Sequence, residues 1–253
     1  MACERHHYGA DRSQFGELWL PAGGDGPYPV AVVIHGGFWR ARYGRRLMHA
    51  LCGDLAERGW AAWNVEYRRL GRSSGGGYPR TLEDVDCAID HLAALADGAV
   101  ASAGHGHPHL DLGRVVAIGH SAGGHLAAWA GTRPDPAVPL TGVVSQAGVL
   151  DLRAAWDWHL SGGVAAEFLG GAPDDVPERC AHASPIERLP LGVPALLTHG
   201  GRDAVVPPAM SERFADAARA AGDDVDVAIE PSAEHMGHVD PANPMWKAVI
   251  AWL

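Results

Sequence analysis

The sequence lacks any apolar run that approaches the length of a membrane span, and its first residues contain no apolar segment of the signal-peptide kind. Cysteine is scarce, with four residues at positions 3, 52, 87 and 180 and no Cys-x-x-Cys pair. That number is low for a scaffold held together by disulfide bonds. We therefore expect reduced cysteines and a cytoplasmic location.

Basic residues are also few: 20 Lys and Arg stand against 30 Asp and Glu, which gives a formal net charge of −10. Such a balance argues against nucleic acid and against an anionic membrane surface as partners. No repeat, linker or low-complexity tract indicates a second domain, and 253 residues that are 47% hydrophobic suffice for a sizeable core. We expect one domain over residues 1–253; no feature indicates its oligomeric state.

Strand-like and helix-like segments alternate along the chain. Apolar or alternating runs predict strands at 13–20 (antiparallel), 30–34, 60–67, 114–118, 140–145, 193–199 and 225–230. Helical patterns occupy 45–58, 81–96, 125–130, 208–221 and 241–253. This rhythm predicts an α/β fold whose central sheet is mostly parallel, with helices on both faces. Residues 151–190 have no single period, and we expect them to form a cap-like insertion near the active site.

A serine lies at the apex of a predicted strand–turn–helix unit. The segment Gly119-His120-Ser121-Ala122-Gly123 fits the G-x-S-x-G pattern of a nucleophile elbow. A serine in a strained turn needs small neighbours, because a Cβ there would collide with the adjacent strand and helix. The pattern alone arises often by chance, so its partners decide its meaning.

The partners of such a serine are a general base and an acid that orients the base. Asp203 follows the strand predicted at 193–199, and His235 follows the strand predicted at 225–230. The order Ser121, Asp203, His235 is the order expected for this architecture. His238 lies in the same loop as His235 and is the alternative base; Asp240 and Glu230 are weaker substitutes for the acid.

The combined motifs resemble those of α/β-hydrolase fold enzymes over nearly the whole chain. His35-Gly36-Gly37-Phe38-Trp39 resembles the HGGxW motif of kynurenine formamidases (arylformamidases) and neighbouring small carboxylesterases. His235 also matches the family pattern His-x-x-x-x-Asp-Pro. The resemblance implies a Ser121–His235–Asp203 triad.

The oxyanion formed during acyl transfer needs preorganised N–H donors, each worth about 3–4 kcal/mol of barrier. One donor is the backbone N–H of Ala122, after the nucleophile. The others should come from the loop after the strand at 30–34, where we choose Gly37 and Phe38. In related enzymes a third glycine stands where Phe38 stands here, and a backbone donor tolerates the exchange if the turn is allowed.

Aromatic side chains are the remaining indication of the substrate. Trp39, Tyr67, Trp156 and Trp158, with Phe38, fall in loops expected to rim the strand ends, which would suit an aryl or acyl-chain group. Trp60, Trp63, Trp129 and Trp246 fall inside predicted elements and are expected in the core. Three histidines at 105, 107 and 109 could converge on a metal, but a solvated loop is preferred.

The sequence therefore predicts a serine hydrolase that cleaves a small ester through an acyl-enzyme, without metal or organic cofactor. An arylformamidase acting on N-formylkynurenine-type amides is the alternative, and a thioesterase or acyl transferase would use the same triad. A noncatalytic binding protein on the same fold is the rival from another class. Such proteins usually lose the nucleophile or the base, and here both are present.

Overall fold

The computed structural model describes residues 2–23, 26–72, 74–98 and 109–253, and within them an eight-stranded sheet forms the centre. Its strands are β1 (Ala2–His7), β2 (Phe15–Leu20), β3 (Tyr28–Ile34), β4 (Ala61–Val65), β5 (Leu110–His120), β6 (Gly142–Gln146), β7 (Ala195–Gly200) and β8 (Val225–Glu230). They are ordered β1-β2-β4-β3-β5-β6-β7-β8. β1 and β2 run antiparallel to their neighbours, and the other pairs are parallel.

Helices cover both faces of the sheet. They are α1 (His49–Glu57), α2 (Arg80–Ala96), α3 (Ala122–Gly131), α4 (Leu152–Asp157), α5 (Val164–Leu169), α6 (Pro177–Ala183), α7 (Ala209–Ala220) and α8 (Pro244–Trp252). α1 and α8 pack on one face, and α2, α3 and α7 pack on the other. The α/β-hydrolase prediction of a mostly parallel sheet between helices is confirmed, although the sheet is mixed.

Strand β3 explains why a continuous apolar run is needed at the centre. Val30, Val32 and Ile34 point into one core cluster, whereas Ala31 and Val33 point into the other. A strand with helices on both sides has no face left for polar side chains. The strand predicted at 30–34 is therefore correct, and β3 extends it to Tyr28.

The N-terminal strand β1 was not predicted from the sequence. Its segment, Ala-Cys-Glu-Arg-His-His, contains no apolar run, because it lies at the edge of the sheet and pairs only with β2. An edge strand needs backbone pairing more than apolar side chains. Trp60, Trp63, Trp129 and Trp246 are all buried, as expected for core residues.

Residues 151–190 contain α4, α5 and α6 and connect β6 to β7. Val164 and Phe168 of α5 are buried in the same core cluster as α2 and α3. The cap-like role of this segment stays a prediction. Across the described ranges, no helix combines the length and the apolar character needed to cross a bilayer.

Candidate active site

Ser121 lies in a sharp turn between the end of β5 and the first residue of α3. Its backbone has φ 57° and ψ −119°, a conformation that a residue with a side chain rarely adopts. The turn is held where the Ser121 N–H donates to the Gln146 carbonyl at 2.7 Å. β5 lies between β3 and β6, so this turn sits at the middle of the sheet edge.

The glycines around Ser121 are needed because the backbone is crowded. A Cβ on Gly119 would overlap the carbonyl oxygen of Gly123, and a Cβ on Gly123 would overlap that of Ile34. The close approach of strand and helix therefore excludes every other residue type at both positions. This is the steric demand that the G-x-S-x-G pattern predicted.

Asp203 and His235 meet at the same edge of the sheet. Nδ1–H of His235 donates to Oδ2 of Asp203 at 2.6 Å, and both side chains are buried. Oδ1 of Asp203 accepts the backbone N–H groups of Val205 at 2.8 Å and Val206 at 2.9 Å. With Nδ1 protonated by this contact, Nε2 is the nitrogen free to accept a proton.

A second histidine, His199, also faces the Asp203 carboxylate. Its Nε2 lies 3.3 Å from Oδ2 of Asp203, while its Nδ1 and Ser211 Oγ are 2.8 Å apart. Burial raises the pKa of Asp203, but hydrogen bonds from His199 and His235, the charge on His235 and the Val206 N–H outweigh it and hold that pKa well below its usual range. The carboxylate is therefore ionised throughout the neutral range. His199 was missed from sequence, since it appeared only as the end of a predicted strand.

His238, the alternative base, occupies a different environment. It is fully buried, and its Nδ1 lies 3.2 Å from Thr198 Oγ1. Burial, reinforced by the neighbouring histidines His120 and His199, lowers the pKa of His238 well below its ordinary value. Its geometry is that of a neutral core histidine, and the pairing with Asp203 belongs to His235.

The loop after β3 lies directly against the serine turn. A Cβ on Gly36 would lie 2.6 Å from the His120 carbonyl oxygen and 2.9 Å from Ser121 Cβ. Gly37 and Phe38 both have positive φ, of 112° and 51°. Among the hydrogen bonds of the described residues, none uses the backbone N–H of Gly37, Phe38 or Ala122. These three groups are thus available as donors beside Ser121.

A buried hydrogen bond between His35 and Glu66 supports this loop. Nε2–H of His35 donates to Oε1 of Glu66 at 2.8 Å, and the ring of His35 stacks on that of Tyr67. The Tyr67 hydroxyl donates to the His35 carbonyl at 2.8 Å. Burial raises the pKa of Glu66, but the hydrogen bond and charge of His35 and the charge of Arg69 bring it below its usual value. The role of Glu66 was missed, because a single acid after a strand carries no pattern.

A cleft of about 220 Å³ opens at the serine. Its lining joins the serine and histidine to an apolar rim and consists of Gly37, Phe38, Tyr43, Leu47, His120, Ser121, Val205, His235 and Met236. Tyr43, Val205 and Met236 are exposed large apolar side chains. Ser121 and His235 therefore share one small, apolar-rimmed cleft.

The structure corrects the expected aromatic rim. Trp39 and Tyr67 have no exposed surface: Trp39 stacks on Phe168, and Tyr67 on His35. Both are core residues that support the loop after β3, so they cannot rim an open cleft. Trp156 and Trp158 lie at α4 and do not line the cleft. Phe38 is the expected aromatic residue that does.

The histidine tract considered for a metal falls largely outside the described residues. His105 and His107 lie in the gap between residues 98 and 109, whereas His109 precedes β5. The solvated-loop interpretation of this tract stays a prediction.

Comparison with known families gives a match over most of the chain. The family model described as BD-FAE matches residues 17–217, a span that contains Ser121 and Asp203. Among curated proteins, the chain is 31% identical over 234 residues to Esterase LipC of Mycobacterium tuberculosis, covering 84% of this chain and 54% of LipC. It is 30% identical to Esterase LipQ of the same organism, covering 82% of this chain and 50% of LipQ. The chain thus spans about half the length of these two relatives.

Solved structures share the fold. A truncated carbohydrate esterase from gut microbiota superposes with a TM-score of 0.79 at 21% identity, covering 98% of this chain and 93% of that one. An esterase of Thermogutta terrifontis, Est2, superposes with a TM-score of 0.78 at 22% identity, covering 99% and 89%. At these identities the likeness concerns the fold alone.

Proposed function

Because this chain belongs to the BD-FAE family, we propose that it is a carboxylesterase that hydrolyses small esters through a Ser121–His235–Asp203 triad. The observation that carries the proposal is the 2.6 Å contact between His235 and Asp203, at a cleft that His235 shares with Ser121. An oriented imidazole beside a serine in a strained turn is the arrangement that acyl transfer requires. The esterase names of LipC and LipQ support the same activity.

The reaction begins with attack of Ser121 Oγ on the ester carbonyl. His235 Nε2 takes the hydroxyl proton and then delivers it to the departing alkoxide, leaving an acyl-enzyme. Water, deprotonated by the same nitrogen, attacks the acyl group; the bond to Ser121 Oγ breaks, the acid leaves and the proton returns from His235 to Ser121 Oγ. Asp203, ionised at neutral pH, holds the Nδ1 proton and stabilises the imidazolium that forms in each half-reaction.

Negative charge on the carbonyl oxygen is met by backbone donors. The N–H of Ala122 lies at the start of α3, where the helix dipole favours an anion. The N–H groups of Gly37 and Phe38 supply the second side of the oxyanion hole. The hydrogen bond between His35 and Glu66 preorganises this loop, so that little reorganisation is needed when the charge develops.

The cleft favours short acyl or alkyl groups. A volume of about 220 Å³ is below the usual range of drug-sized ligand pockets, and Phe38, Leu47, Val205 and Met236 offer apolar contact. Esters are preferred to N-formyl aryl amides because the curated relatives reported above are esterases. The arylformamidase alternative would use the same triad.

A fluorophosphonate probe tests the proposal together with a Ser121→Ala variant. We expect the wild-type protein to be labelled on the peptide that contains Ser121, and p-nitrophenyl acetate turnover to fall by about 10⁴-fold or more in the variant. Equal thermal unfolding of the two proteins shows that the fold is intact. A folded variant with wild-type turnover would contradict the proposal, and an unlabelled wild type would favour a noncatalytic binding protein.

A further inference from the structure

An arginine-rich cavity adjoins the ester cleft. It has a volume of about 580 Å³ and is lined by residues 41–47, Glu66 and Arg69, which include four arginines: Arg42, Arg45, Arg46 and Arg69. Tyr43 and Leu47 line both this cavity and the cleft that contains Ser121. In a chain of net charge −10, four guanidinium groups thus line a cavity that adjoins the cleft of Ser121.

The acidic groups nearby neutralise only part of this charge. Arg45 pairs with Glu17 at 2.6 Å, and Arg69 pairs with Glu66 at 3.3 Å. Glu66 also pairs with His35, so its charge is already shared. Within the part of the chain that the structure describes, no carboxylate forms an ion pair with the exposed side chains of Arg42 and Arg46. The guanidinium groups of Arg42 and Arg46 are therefore available to bind an anion.

The wall between the two cavities is built from tightly packed groups. The guanidinium of Arg42 lies over the ring of Tyr43, 4.8 Å from its centroid, and Arg69 donates to the Tyr43 carbonyl. A Cβ on Gly44 would lie 2.7 Å from Oε2 of Glu66 and 3.0 Å from a terminal nitrogen of Arg69. Tyr43 thus lies between Arg42 and the ester cleft.

We propose that this cavity is a subsite for a carboxylate carried by the substrate, so that the preferred substrates are small anionic esters. The inference rests on the proposed esterase function and specifies its substrate class. The scissile carbonyl lies at Ser121, an apolar spacer crosses Tyr43 and Leu47, and the carboxylate meets Arg42 and Arg46. The planar guanidinium fork matches a carboxylate in geometry as well as in charge.

Two matched pairs of esters test the subsite and identify the side of the ester that carries the anion. For the acyl side, 4-nitrophenyl hydrogen adipate is compared with 4-nitrophenyl hexanoate. For the alcohol side, 4-acetoxybenzoate is compared with its neutral methyl ester. The readout is the ratio of kcat/KM for the anionic ester to kcat/KM for the neutral one, which also cancels any loss of folded protein.

We expect a ratio of about ten in one of the two pairs, because two partly solvated guanidinium contacts each contribute a few-fold. The ratio should fall to about one in an Arg42→Gln/Arg46→Gln double variant, and fall in about 0.5 M salt. Arg58→Gln is the control for loss of surface positive charge. It removes one guanidinium group, against two in the double variant, just before β4 and outside the lining of both cavities, and it should keep the wild-type ratio.

The outcomes separate the two proposals. Hydrolysis of the neutral esters with no anionic preference in either pair, or a preference that survives in the double variant, would overturn the carboxylate subsite alone. Failure to hydrolyse any of the four esters would contradict the esterase function itself.

Discussion

The imidazole of His235 and the carboxylate of Asp203 are joined through one oxygen, with Nδ1 2.6 Å from Oδ2. The other oxygen accepts the N–H groups of Val205 and Val206, so the loop after β7 fixes the plane of the carboxylate. His199 approaches the same Oδ2 at 3.3 Å. The Asp203 carboxylate is therefore contacted by His235, by His199 and by two backbone N–H groups. Because the carboxylate is fixed in this way, it also fixes the orientation of the His235 ring.

Asp203→Asn should reduce kcat for p-nitrophenyl acetate by about 10⁴-fold, because the amide favours the wrong tautomer of His235. Steady-state kinetics with thermal unfolding as a check on the fold measures this effect. Asp174→Asn is the matched control, since Asp174 is exposed and pairs with Arg153 far along the surface. A loss of kcat of less than tenfold in Asp203→Asn would assign the acid to another residue.

Replacement of the two loop histidines should separate their roles. His235→Gln removes the proposed base and should lower kcat by about 10³-fold or more. His238→Gln should lower kcat by less than about tenfold and lower Tm instead, because His238 is buried against Thr198. Paired kinetics and thermal melts measure both. The reverse pattern would make His238 the base.

Gly36→Ala should disturb the contact between the oxyanion loop and the serine turn, because the new methyl group would lie 2.9 Å from Ser121 Cβ. The new methyl group would also lie 2.6 Å from the His120 carbonyl oxygen, so the loop must move. Its N–H groups would then no longer point at the oxyanion. We expect kcat to fall by about 10²-fold with little change in KM. Gly23→Ala, where a methyl group meets nothing within 4 Å, is the control. Equal kinetics of the two variants would count against this loop as the donor.

Buried neutral histidines should make the fold sensitive to acid. Burial lowers the pKa of His125 from 6.5 to about 4. The unfolded chain therefore binds this proton more readily, and the contribution of His125 to stability is present above about pH 6.5 and lost as the pH falls towards 4. The loss amounts to about 3 kcal/mol over that interval.

Urea unfolding between pH 4 and 7 measures this dependence. In His125→Gln the free energy of unfolding should fall less steeply with acid, because the amide can still bond Trp39 and the Ala183 carbonyl but binds no proton. His7→Gln, at an exposed position, is the control. An unchanged slope in His125→Gln would show that other groups cause the acid sensitivity.

Seven of the eight described strands and the order of the candidate site residues could be predicted because each depends on local sequence. Ser121 requires small neighbours within two residues, and Asp203 and His235 each follow a strand. Chemical roles for these residues remain predictions until tested. The burial of Trp39 could not be foreseen, since it depends on Phe168, which is distant in the chain and lies in a segment without a period.

The contacts of Glu66 and Tyr67 with His35 could not be predicted from the sequence either. Glu66 and Tyr67 leave β4 as an ordinary polar–aromatic pair, and only the adjacency of β3 and β4 brings them under His35. Likewise, the arginines after Trp39 resemble a solvated basic stretch until the fold places Arg69 among them. Periodicity can be read from a short stretch of sequence, whereas contacts between distant segments cannot.

The order of the strands along the chain has a consequence for its synthesis. β5 and β7 deliver Ser121 and Asp203, whereas His235 follows β8 and leaves the ribosome after both of them. A nascent chain that has folded through β7 already holds Ser121 beside the loop at Gly36, yet it lacks His235, the proposed base. On the proposed mechanism such a chain cannot activate Ser121, and ester cleavage would begin only once His235 has emerged and docked beside Asp203.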